Sequence, residues 1–145
     1  ETSSVYEYPM VDRDPLERWT FGRTTLLGDA AHPTYPVGSN GASQAIIDAR
    51  KLAFHLKVNG LNETALLSYE EEMLPLTAKI TLANRSSGPD ALLQVVEDRC
   101  GGTFINIQEI ISQSELKNHS EKYKSVAGLN IERLNNTDSI LNSLI

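Results

Sequence analysis

Residues 26–49, LLGDAAHPTYPVGSNGASQAIIDA, constrain this chain more tightly than any other stretch. A short apolar segment runs into Gly28-Asp29, passes Pro33 and Pro36, and reaches a loop of small residues just before an apolar-periodic helix. No large side chain stands between Val37 and Gln44. Such a run suits a bulky group that must lie against the backbone, because glycine puts no Cβ into that space. A loop without a ligand has no need of it.

The rest of the chain is read outward from there. Residues 3–11, SSVYEYPMV, are rich in β-branched and aromatic side chains and predict a strand. Residues 12–22 predict a turn or short helix, stopped by Gly22. Residues 23–30, RTTLLGDA, predict a second, central strand with Leu26 and Leu27 buried, ended by Gly28, so that Asp29 lies just past its carboxyl end. Ala42, Ala45, Ile46, Ala49, Leu52, Ala53 and Leu56 fall at helical spacing and predict a helix over 41–59 with an alanine-rich inner face. Gly60 is its stop. Asn62 is a candidate N-cap for a helix to about residue 85, whose stripe is Leu66, Tyr69, Met73, Leu76, Ile80 and Ala83. Pro75 should kink it. Pro89 suits the first turn of a third helix to about residue 99, and a polar helix is expected over about 108–124.

The fold class is thus α/β, mostly helical with two or three strands. Two strands followed by helices make an incomplete sheet, and the chain opens on Glu1 within a strand-like segment, so a piece of a longer protein is expected. Residues 1–100 form its main part, with 101–145 as a helical or irregular extension.

Hydrophobic residues make up 40% of the chain and charged ones 22%, an ordinary globular balance. The net charge of −6, without a basic cluster, argues against nucleic acid. No apolar run is long enough to span a membrane. A lone cysteine, Cys100, excludes an internal disulfide framework and fits a reducing, cytoplasmic setting. Asn-x-Ser/Thr matches at Asn62, Asn84, Asn118 and Asn135 read as chance in an Asn- and Ser-rich chain. Cys100, His55 and His119 have no motif around them and read as structural or exposed.

Several chemistries can be weighed at the central loop. A P-loop is excluded because no Lys-Ser/Thr follows the glycines. Asp29 and His32 alone are a weak metal pair, and no metal is expected. Gly41-Ala42-Ser43-Gln44-Ala45 approximates a nucleophile elbow, with Asp29 and His32 as imaginable partners for Ser43. However, the elbow serine should follow directly on a buried strand, and Ala45 replaces its second glycine. The stronger reading uses the helix start. Free N–H groups at Ala42 and Ser43, reinforced by the helix dipole, favour partial negative charge. Gly38 and Gly41 admit a flat ring, Pro36 walls one side, and Asp29 is an acceptor suited to polyol hydroxyls. Together these describe half a pocket for a planar ring carrying a sugar-alcohol chain.

GDAAHPTYPVGSNGASQAIIDA resembles the Gly-Asp motif and following helix of the FAD-dependent aromatic hydroxylases, the single-component flavoprotein monooxygenases. With YPMVDRDPLERWTFGRTTLLGDAAH, it is similar in particular to the phenazine hydroxylases and more loosely to the salicylate hydroxylases. The match is specific over about residues 5–56 and weaker to residue 85. The resemblance implies a Rossmann-like FAD-binding fold, FAD as cofactor, NAD(P)H as reductant, O2 as oxidant and a small aromatic substrate. It implies that Asp29 hydrogen-bonds the ribityl hydroxyls, that Pro36 and Gly38 line the ring, and that Ala42 and Ser43 face its pyrimidine edge through backbone N–H groups; Gly28 and Gly41 complete the expected cofactor-binding set. Many members carry Asn where Ser43 stands, which matters little to a backbone contact. The chain has no Gly-x-Gly-x-x-Gly and no Asp-Gly pair. The adenosine half of FAD therefore requires a preceding region in cis or a partner chain. The alternative is a non-catalytic remnant that uses these helices for packing or partner binding.

Overall fold

A computed structural model of the chain describes residues 4–36, 40–87, 90–127 and 131–136. Its helices are α1 (Gly41–Asn59), α2 (Glu63–Ser87), α3 (Asp90–Cys100), α4 (Ile107–Ile110), α5 (Gln113–Val126) and α6 (Ile131–Asn136). A single 3-10 turn, Gly28–Ala30, precedes α1.

The expected strands are absent among the described residues. Residues 4–11 are irregular and exposed, Val5 at 90%. Residues 23–30 are held by one antiparallel bridge, Phe21 with Thr24, around the Gly22 turn. Beyond it, Leu26 N–H donates to Trp19 C=O at 3.2 Å, and Leu27 is extended but 39% exposed. The β-favouring composition of both segments is real, but a strand exists only through a partner's N–H and C=O groups. Residues 12–20 form no helix. Instead they lie as a loop pinned to α2, where Glu70 Oε2 accepts the N–H of Trp19 at 2.9 Å and that of Thr20, and Arg85 bridges Asp12 and Asp14, each at 2.6 Å.

Helix ends follow local chemistry closely. Asn62 Oδ1 caps α2 through Ala65 N–H at 3.1 Å, and Gly60, at φ +85°, closes the α1–α2 connection. The helix α2 continues through Pro75. Ser112 and Glu115 form a reciprocal capping box at the start of α5, five residues later than the expected boundary. Asn84 is buried and accepts from Tyr123 Oη at 3.0 Å, fastening α5 to α2.

The core consists of Trp19, Ala31, Tyr69 and Met73, with Leu16, Leu26, Leu52 and Leu74 packed against it. The α2 stripe behaves largely as its periodicity predicts, with Tyr69, Met73 and Ile80 buried and only Leu76 exposed. The face of α1 does not. Gln44 and Asp48 are its buried residues, whereas Ala42, Ile46, Ala49 and Ala53 are exposed. The helix has turned a polar edge inward because a buried cluster claims Asp48. Among the described residues no helix is long and apolar enough to cross a membrane.

Candidate functional site

The site is built where the Gly28–Ala30 turn meets the start of α1. Gly28 adopts φ +56°, a left-handed conformation that favours glycine, and a Cβ there would stand 3.3 Å from Ala45 Cβ. The turn can therefore press directly on α1. Its backbone closes on itself, with the N–H groups of Ala31 and His32 both donating to Gly28 C=O at 2.9 Å. Arg13 holds it from outside, donating to Ala30 C=O at 2.7 Å and Ala31 C=O at 3.2 Å.

Asp29 lies in this turn rather than past a strand, and its side chain is exposed. It nevertheless reaches the helix start. A Cβ built on Gly41 would lie 4.0 Å from Asp29 Oδ1 and 3.4 Å from Thr34 Oγ1. Asp29, Thr34 and Gly41 thus surround one small space, and Gly41 keeps it open.

The first turn of α1 carries no side-chain cap. Asn40 occupies the cap position, but its Oδ1 accepts from Gln44 Nε2 at 3.2 Å, and Asn40 Nδ2 is buried without a partner among the described residues. The first intrahelical bond there is Gln44 N–H to Asn40 C=O, at 3.0 Å. The N–H groups of Gly41, Ala42 and Ser43 precede that bond, and Ala42 and Ser43 are exposed. Pro36 is exposed nearby in sequence, and Gly38 lies outside the described residues. Of the expected site residues, then, Gly28, Asp29, Gly41, Ala42 and Ser43 come together.

Beneath the site lies a polar cluster that reading the sequence missed. Asp48 is fully buried, and His32 is 5% exposed. Asp48 Oδ2 accepts Gly28 N–H at 2.8 Å and stands 2.6 Å from His32 Nε2. The His32 ring lies 5.6 Å from that of Trp19, which is 5.8 Å from Tyr69. Burial raises the Tyr69 pKa well above the ordinary phenol value, and the nearby Asp48 carboxylate raises it further, so the phenol stays protonated. The available signal was an acid at helical spacing from Ala45 and Leu52, two members of the apolar stripe. His32 is thereby committed: it is buried on Asp48 while Ser43 is exposed, and no hydrogen bond joins the two among the described residues. The elbow-type hydrolase arrangement has no such geometry here. His55 is also engaged, with Nε2 2.8 Å from Glu72, which binds Lys51 as well.

Known proteins share a large part of this chain. The FAD binding domain family matches residues 6–83. The phenazine 1,6-dicarboxylic acid hydroxylase PhzS of Lysobacter antibioticus is 58% identical over 84 residues, which cover 58% of this chain and 21% of that protein. A 3-hydroxybenzoate 6-hydroxylase of Aquipseudomonas alcaligenes is 47% identical over 78 residues, covering 53% and 24%. The 3-amino-4-hydroxybenzoate 2-monooxygenase PtmB3 of Streptomyces platensis is 41% identical over 101 residues, covering 66% and 26%. The chain therefore matches about a quarter or less of the length of these relatives. With the Asp29 turn, all of α1 and most of α2 inside the matched region, this chain belongs to the FAD binding domain family.

Proposed function

We propose that this chain is the part of an FAD-dependent aromatic hydroxylase that holds the ribityl chain and the flavin ring. One observation carries the reading: Asp29 Oδ1 and the uncapped first turn of α1 share a space that a side chain on Gly41 would enter. The donor set suits the ligand. A carboxylate accepts from the ribityl hydroxyls, while the N–H groups of Ala42 and Ser43 donate to the pyrimidine edge and favour negative charge there. Pro36 and Gly41 line the ring, and the buried Asn40 Nδ2, without a partner among the described residues, is a further donor at the same helix end. Gly28 supplies the tight turn that brings Asp29 in. FAD, when bound, supplies the redox chemistry that NAD(P)H and O2 feed, and the substrate is a small aromatic compound, in line with the names of the relatives. The protein's share is to bind, orient and polarise.

The test is a chimera in which the matching segment of the Lysobacter phenazine hydroxylase is replaced by that of this chain. The expected product is a yellow protein that retains FAD and hydroxylates in the presence of NAD(P)H. A folded chimera that purifies colourless and takes up no added FAD would overturn the reading.

A further inference from the structure

The side chain that organises the site does not face it. Asp48 Oδ2 holds Gly28 N–H at 2.8 Å and His32 Nε2 at 2.6 Å, and these two residues bracket Asp29 in sequence. One carboxylate therefore grips both ends of the turn. A carboxylate only accepts, so Nε2 carries the proton in this contact. Arg13 grips the same turn, but by the carbonyls of Ala30 and Ala31 and from the solvent side, so it cannot fix Gly28. Packing alone would be served more cheaply by an apolar residue, since a buried carboxylate must be desolvated. Position 48 instead carries an acid that is 0% exposed.

The surroundings leave room for the pair to be completed. His32 Nδ1 and Thr81 Oγ1 are both buried without a partner among the described residues. Both residues line a cavity of about 10 Å3 beside Arg13 and Trp19, about the room a single water needs. Asp48 Oδ1 and Tyr69 Oη are likewise without a partner among the described residues, and the two side chains are close enough for the carboxylate to raise the phenol's pKa.

We propose that Asp48 and His32 are positioning residues, clamping both ends of the Asp29 turn onto α1 so that the Asp29 carboxylate is held beside the open first-turn amides. The consequence for cofactor binding rests on the function proposed above, whereas the clamp itself does not. In this arrangement Asp48 acts on the ligand through Gly28 and Asp29, and His32 acts through Asp48. Neither touches the ligand space.

The test has an arm that needs no flavin. In the 145-residue chain, hydrogen exchange at the Gly28 amide and the proton NOE between Asp29 and Gly41 are measured by NMR for Asp48→Leu and Asp48→Asn. The same measurements are made for His32→Phe and His32→Gln. Asp48→Leu should speed Gly28 exchange about tenfold, the loss expected for a hydrogen bond to a charged group, and abolish the NOE. Asp48→Asn keeps an acceptor oxygen and should restore both. His32→Phe keeps a ring but no donor and should loosen the NOE, whereas His32→Gln returns an N–H group near the Nε2 position and should rescue it. Amide protection along α2, away from the turn, should stay unchanged wherever the fold is intact. A folded Asp48→Leu chain with native Gly28 protection and NOE would overturn the clamp. If that variant does not fold, identical behaviour of His32→Phe and His32→Gln would overturn it instead. In the chimera, Asp48→Leu should weaken FAD retention about tenfold and Asp48→Asn much less. A chimera that never binds FAD sinks the proposed function and leaves the clamp to be decided by the exchange arm.

Discussion

At the scale of single residues, the site depends on what is small and what is charged. Gly41 is open because the nearest atoms to an added Cβ are the side chains of Thr34 and Asp29. An alanine there would fit in the absence of ligand, so the proposed ring is what would require the glycine. Asp29→Ala in the chimera removes a charged acceptor, and we expect a loss of roughly 1.5–3 kcal/mol in FAD binding, read as about a 10- to 100-fold rise in Kd. Gly41→Val should cost more, since its methyl groups occupy the ring's space. Flavin fluorescence titration checks both, and an unchanged Kd for either variant would remove that residue from the site. Gly28→Ala is a different kind of change, because it strains the turn whether or not ligand is bound. A left-handed φ costs an L-residue about 1–2 kcal/mol, and here the methyl also meets Ala45 at 3.3 Å. Urea denaturation of the chain itself should register that loss.

At the scale of elements, helix ends are where sequence and structure agree best, and they yield measurable stability. Asn62→Ala removes the α2 cap and should cost about 1 kcal/mol in urea denaturation, with the effect confined to the start of α2 in amide exchange. At the start of α5 the Glu115 carboxyl is held at about 2, first by Arg99 and then by the Ser112 N–H and hydroxyl. A depressed acid stabilises the folded state above its unfolded pKa and loses that contribution as pH falls through the folded value. The α5 cap should therefore hold at neutral pH and weaken from about pH 4.5 down toward 2. Carboxyl-carbon NMR of Glu115 reads the midpoint directly, and a midpoint near 4.5 would mean that the capping box and Arg99 contact do not persist in solution.

At the scale of the whole molecule, the chain presents the proposed half of a ligand site and much exposed apolar surface. Val5, Tyr6, Tyr8, Ile46 and Leu61 are among the exposed large side chains, and Ile46 lies on the same α1 face as the exposed alanines. FAD affinity is spread over adenosine, pyrophosphate, ribityl chain and ring, and the proposed site addresses only the last two. Association first costs several kcal/mol or more in lost freedom, which partial contacts must overcome. We therefore expect the isolated 145-residue chain neither to bind FAD below micromolar concentration nor to hydroxylate an aromatic substrate with NAD(P)H. Fluorescence titration and product analysis test this, and tight binding or product would show that the ribityl and ring contacts suffice.

What the sequence determined by itself was local. The α1 start, the Gly60 stop and the Asn62 cap follow from residue types whose backbone preferences act within a few positions. Tertiary structure alone decided the rest. The strand-like composition of residues 4–11 and 23–30 produced no sheet, because pairing needs a partner that local composition cannot supply. The facing of α1 followed neither its alanines nor Ile46, because Asp48 turns inward to grip Gly28 and His32, residues 20 and 16 positions away. Periodicity counts apolar side chains along one helix; it carries no information on a buried hydrogen bond whose other half lies on a different segment.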